Sequence, residues 1–268
     1  MNTAGLAFAS TSDPGSGPAT TPGADPATAP GAGPVTQPER FALVANPAHT
    51  VRFVAVLLGF AALLAVRSSA AAASAPRSHV VAYLSLLAFE WLLFYFAYVG
   101  LRKRGVSIRA ILGVRWRSVR DALVTAALAA GFWGASSLAL QGLKWAFTAV
   151  GQSPLAEARR TQALVGPHGA LESVLWIALS LSAGFCEEFV FRGYLQRQFV
   201  ALTRSTAAGI AASAVVFGLG HMYQGWRSVA VITIYGVMFG LLAHASRSLR
   251  PGMVAHAWQD IFAGLIGR

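Results

Sequence analysis

The sequence predicts an all-α, polytopic transmembrane bundle of about seven spans, preceded by a disordered Pro/Ala/Gly-rich tail. Three observations predict it. Hydrophobic residues make up 55% of the 268 and charged residues only 12%, a balance that suits a membrane protein and not a soluble domain. The apolar residues fall in runs approaching the roughly 20 that a helix needs to cross a bilayer. The basic residues cluster between those runs, as in Leu101-Arg102-Lys103-Arg104 and Arg115-Trp116-Arg117-Ser118-Val119-Arg120. The formal charge of +11 therefore reads as an orientation signal and not as a nucleic-acid surface. The single cysteine, Cys186, has no partner in the chain for a disulfide.

In chain order, residues 1–40 come first. Pro14, Pro18, Pro22, Pro26, Pro30, Pro34 and Pro38 recur at every fourth position. Pro, Gly, Ala and Thr at this density cannot bury a core, so the segment is expected to be disordered with extended stretches. It has neither the basic start nor the apolar run of a signal peptide. Residues 41–150 are assigned to N-terminal transmembrane helices and 151–268 to a membrane core that carries the chemistry. The expected helices are 53–73, 80–101, 122–143, 171–191, 207–222, 229–244 and 253–266. The last is short and holds His256, Gln259 and Asp260, so hydropathy alone leaves it open between a span and a buried segment.

The loop 102–120 carries Arg102, Lys103, Arg104, Arg109, Arg115, Arg117 and Arg120, which predicts a cytoplasmic position. Counting outward puts the basic turns 197–204 and 247–250 on the same side, the N-terminus in the cytoplasm and the C-terminus outside. The expected location is the bacterial cytoplasmic membrane, with membrane lipids as surroundings.

Ionisable side chains at membrane depth cost roughly 2.5–3.5 kcal/mol on insertion scales and are usually kept for a function. The apolar run Gly184-Phe185-Cys186-Glu187-Glu188-Phe189-Val190-Phe191-Arg192-Gly193 holds three of them. Read as a helix, it points Glu187 and Glu188 about a quarter-turn apart. Arg192 follows Glu188 by four residues, the spacing of an ion pair on one face. Arg192 then holds Glu188, and Glu187 is left free to act as a general base. The bland reading is a single structural ion cluster.

A second feature is Phe217-Gly218-Leu219-Gly220-His221. Glu187 and His221 are equidistant in sequence from Arg204, the centre of the turn between their helices, so an antiparallel hairpin sets them at similar depth. A third is His256-Ala257-Trp258-Gln259-Asp260. His256 and Asp260 lie one turn apart, so the carboxylate can orient the ring and leave His256 a donor toward developing negative charge. Glu187, His221 and His256 also have the composition of a two-His-one-Glu zinc set with an open position, although no H-E-x-x-H motif occurs. No cofactor is expected, with zinc as the alternative. Glu90, in the second span, belongs to no motif and reads as structural.

The set Glu187-Glu188-x-x-x-Arg192, Phe217-x-x-x-His221 and His256-x-x-x-Asp260 resembles the three-motif signature of the CPBP family of intramembrane proteases. That family comprises CAAX prenyl endopeptidases and bacterial bacteriocin-processing or immunity relatives. The resemblance covers about 171–266, and the order and internal spacing of all three motifs match. It implies Glu187 and His221 as the water-activating pair, His256 and Asp260 as the oxyanion pair, and Glu188 and Arg192 as supporting residues. The prenyl endopeptidase branch usually has asparagine where this chain has Asp260. An ionised carboxylate cannot donate to an oxyanion, so Asp260 must be protonated or act by orienting His256.

The function expected from the resemblance is a membrane-embedded, CAAX-like endopeptidase acting on a peptide or membrane-protein substrate. The alternatives are a non-catalytic scaffold or bacteriocin-immunity protein using the same polar cluster, and a transporter with a proton relay. Substrate identity and oligomeric state are not written in the sequence.

Overall fold

The computed structural model describes residues 41–70, 78–113, 116–149 and 166–266. The predicted tail, 1–40, lies outside the described residues. The fold is all-helical, as expected from the sequence, and no strand occurs among the described residues. The helices are α1 (Pro47–Ala70), α2 (Val80–Arg102), α3 (Ile108–Leu112), α4 (Val119–Ala149), α5 (Gly169–Glu187), a π-helix (Glu188–Leu195), α6 (Gln196–Thr203), α7 (Thr206–Gly220), a 3₁₀ turn (Met222–Gln224), α8 (Trp226–Ser246) and α9 (Arg250–Leu265).

Each predicted span coincides with a helix, but the lengths differ. Five continuous helical segments are long and apolar enough to cross a membrane: Pro47–Ser68, Val80–Arg102, Val119–Ala149, Gly169–Thr203 and Trp226–Ser246. The fourth runs through α5, the π-helix and α6, well past the predicted end at 191. α7 has only 15 residues, about 22 Å at 1.5 Å per residue, short of the roughly 30 Å hydrocarbon core. The outer surface is apolar. Val81, Leu138 and Trp145 are each 76% exposed, which a soluble monomer does not offer in such number. The chain is an integral membrane protein.

Turn chemistry explains several helix ends. Ser107 caps α3 by accepting from the Ala110 N–H at 3.2 Å, and Ser205 caps α7 by accepting from Ala208 at 3.3 Å. α6 and α8 end on Arg204 and Arg247, both left-handed at φ 54° and 53°, a C-terminal stop more often given to glycine.

α5 packs against α2 on one side and α9 on the other, while α7 packs against both α6 and α8. Close helix approach depends on small residues. A Cβ on Gly184 of α5 would sit 2.7 Å from the Met253 carbonyl of α9. The Gly236-x-x-x-Gly240 face of α8 lies on α7, where a Cβ on Gly236 would sit 2.9 Å from Ala214 Cα. Beneath these contacts an aromatic core joins Phe53, Phe94, Phe96, Phe189 and Tyr194. The entry to α1 is fixed by the fully buried Gln198, whose side-chain oxygen accepts from Val44 and Ala45 N–H at 3.0 Å each.

Candidate active site

The site forms where α5 passes into the π-helix. All eight π-helical residues, Glu188 to Leu195, are buried, and π segments inside helices frequently mark functional positions. Glu188 Oε1 accepts from the Arg192 guanidinium at 2.8 Å, with both side chains 1% exposed, so the predicted local ion pair forms. Arg192 also donates to the Gly236 carbonyl of α8 at 3.3 Å. Its guanidinium lies 4.4 Å from the Phe217 ring centre and 4.9 Å from that of Phe239. These faces add a cation–π attraction that strengthens when water is excluded.

His256 sits among three carboxylates. Its Nδ1 is 3.1 Å from Glu188 Oε1, and its Nε2 is 3.6 Å from both Glu187 Oε2 and Asp260 Oδ2. Both ring nitrogens thus face acceptors, an environment suited to the doubly protonated ring. The pairing expected between His256 and Asp260 is present, yet the short contact goes to Glu188, 68 residues away in sequence. α9 is fixed here by Trp176 of α5, whose indole N–H donates to the Asp260 carbonyl at 2.8 Å.

His221 terminates α7. Its Nδ1 lies 2.9 Å from the Phe217 carbonyl one turn back. A carbonyl only accepts, so Nδ1 carries the hydrogen and Nε2 keeps a free lone pair. Because α7 is short, its C-terminal end stops at the level of the site. His221 and His256 thus line the same cavity.

Glu187, His221, His256 and Asp260 line one cavity of about 200 Å³, several times the roughly 30 Å³ that a water occupies in the liquid. Its remaining wall is largely apolar, with Leu57 and Phe60 from α1, and Leu86 and Leu93 from α2. Glu188 and Arg192 stand behind this wall and support it. Oε2 of Glu187 is buried with no hydrogen-bond partner among the described residues.

Residues 169–262 match the family model described as type II CAAX prenyl endopeptidase Rce1-like. Over these residues the chain is similar to that family. The match covers about a third of the chain and contains all three motifs of the site. No match was found among curated proteins or among solved structures. The matched family is one of proteases.

Within the matched segment, the zinc alternative can be set against the donors. Among the described residues no three His, Cys, Asp or Glu side chains gather as a metal ion needs. Glu187 and His256 approach to 3.6 Å, and His221 lines the same cavity. Cys186 is buried and also lines the chamber.

Two polar contributors were missed in the sequence. Glu90 reaches the same cavity from α2, outside the matched core. Tyr223 and Gln224, on the 3₁₀ turn after His221, close one end of it, and Gln224 donates to the Tyr223 hydroxyl at 2.9 Å. A glutamate within a 23-residue helix otherwise free of internal charge was the available signal for the first. Nothing in the spacing pointed to the second.

Proposed function

We propose that the chain is an intramembrane endopeptidase that hydrolyses a peptide bond of a membrane-associated substrate. Glu187 and His221 activate a water held in the cavity between them. The free Nε2 of His221 accepts one hydrogen of that water, and the Glu187 carboxylate is the base that removes a proton as the water attacks the carbonyl carbon. His256, supplied with carboxylates at both nitrogens, donates toward the oxyanion that develops. Asp260 acts through His256, by holding its ring, and so need not itself donate. Glu188 and Arg192 fix the ring from behind. No step requires a metal ion.

The observation that supports this reading is that Glu187 and His221, from separate helices, line one cavity together with His256. A scaffold needs its polar groups satisfied by one another, whereas here a buried Glu187 oxygen, 3.6 Å from His256 Nε2, has no hydrogen bond among the described residues. The apolar remainder of the chamber suits the extended segment of a membrane-borne substrate.

The test compares peptide termini, by mass spectrometry, in membranes carrying the wild type or Glu187→Gln at equal abundance. Termini formed only by the wild type identify substrates and the bond cut. Identical terminus profiles, with the variant folded and abundant, would leave the polar cluster to a scaffold or immunity role.

A further inference from the structure

Glu90 has no place in the reaction described above, yet it enters the same chamber. It is the α2 residue that brings a carboxyl group to the cavity wall that Glu187 also lines. One of its oxygens, Oε2, is buried without a hydrogen-bond partner among the described residues, as is Oε2 of Glu187. From α5, the Ser182 hydroxyl donates to the Glu90 carboxyl, and Glu187 and Cys186 face it. From α9 it is faced by His256 and Asp260, and from the end of α7 by His221 and Tyr223. Among the described residues no Lys or Arg lines this chamber. Arg192 is committed to Glu188, and His256 stands against Glu187, Glu188 and Asp260. Glu90 therefore has no cation of its own. A carboxyl group enclosed in apolar surroundings without one is held most cheaply as the neutral acid, with a hydrogen to give.

Peptide hydrolysis needs such a group. An amide nitrogen leaves only when it is protonated, and a base that has just taken a proton from water on one side of the carbonyl is not automatically placed to deliver it on the other. We propose that Glu90 is the general acid of this site, giving its proton to the departing amine from a carboxyl on a different helix from Glu187. This assignment rests on the protease reading. The steps balance. Water's oxygen bonds to the carbonyl carbon as one of its protons passes to Glu187. The C–N bond then breaks as the nitrogen takes the proton of Glu90, releasing an amine and a carboxylic acid. Glu187 returns its proton to Glu90 through cavity water, and both carboxyls are restored.

The experiment uses the full-length protein in lipid nanodiscs and two probes. One is an internally quenched peptide spanning the bond found by terminus mapping. The other is the p-nitrophenyl ester of the acyl half of that peptide, whose leaving group departs without a proton. Glu90→Gln is expected to lose about 100-fold or more on the peptide and to keep most of its rate on the ester, while Glu187→Gln loses both. Wild-type peptide cleavage by Glu90→Gln overturns the assignment, and so does an equal loss on both probes, which marks a structural role. If the wild type cleaves neither probe, the protease reading has failed and this role falls with it. A defect in this assignment alone is recognised because wild type and Glu187→Gln still differ. Infrared difference spectra between wild type and Glu90→Gln provide a readout independent of turnover. A protonated-carboxyl band lost in the variant is expected, and its absence from the wild type overturns the proposal.

Discussion

Glu188 and His256 meet through Oε1 and Nδ1 at 3.1 Å, and the same Glu188 oxygen accepts from Arg192 at 2.8 Å. One buried carboxylate thus joins the π-helix to α9, with Arg192 on one side and His256 on the other. Removing it leaves Arg192 enclosed without a counter-charge, a change that typically costs about 3–5 kcal/mol. We expect Glu188→Ala to lower stability by that order, and Glu188→Gln, which keeps shape and hydrogen-bonding capacity, to lower it less. Thermal unfolding of the purified variants in detergent measures both. A Glu188→Ala protein as stable as the wild type would refute the link.

Asp260 lies 3.6 Å from Nε2 of His256, near enough to hold the ring and too far for a short hydrogen bond. If it works only through His256, an amide at the same position can keep that contact and adds a donor facing the cavity. Asp260→Asn should therefore retain cleavage within about tenfold, whereas Asp260→Ala, which leaves the ring unsupported, should lose about 100-fold or more. Initial rates on a single substrate separate the two. An inactive Asp260→Asn would mean that the carboxylate has a direct task.

Metal dependence separates the two water-activating schemes. Catalytic zinc is removed by chelators and restored by added metal. With Glu187 as base and His221 as acceptor, cleavage is expected to continue unchanged after prolonged chelation. Loss of activity followed by recovery on adding zinc would instead assign Glu187, His221 and His256 as ligands.

Local chemistry was the legible part of this site. Glu188–Arg192 and His256–Asp260 are pairs one helical turn apart, and periodicity alone places such pairs together. Glu187 and His221 line one cavity, and the near-symmetry of an antiparallel hairpin about its turn at Arg204 is what set them together as an expectation. The contact from His256 to Glu188 was not readable, since it depends on α5 and α9 closing over Gly184. The π-helix leaves no pattern that distinguishes it from ordinary helix, so the predicted end at 191 fell short of Thr203. The clasp at the other end of the bundle was missed for the same reason. There the buried Glu172 carboxylate accepts from Ser78 Oγ and from the His79 and His168 N–H groups, at 2.8 Å each. Two of those three donors are backbone groups, which the identity of a side chain does not reveal.

The glycines of the helix interfaces give the sharpest check on the packing. Gly236 and Gly59 both lie inside helices, α8 and α1, so their intrinsic cost relative to alanine is the same, about 1 kcal/mol in favour of alanine. Their surroundings differ. A Cβ at Gly236 would sit 2.9 Å from both Cα and Cβ of Ala214, and the first of these is backbone that cannot rotate away. At Gly59 nothing lies within 4 Å. Overpacking a tight contact typically costs about 1–3 kcal/mol, enough to outweigh the gain in helix propensity. Gly236→Ala should therefore lower the unfolding temperature, and Gly59→Ala should leave it unchanged or raise it. Since α7 carries His221 at its end, a shift of α7 away from α8 also moves the nitrogen proposed to accept from water relative to Glu187. Gly236→Ala should accordingly lose cleavage more steeply than stability at temperatures where it remains folded, whereas Gly59→Ala keeps both. Equal behaviour of the two variants would place α7 and α8 further apart than the structure has them.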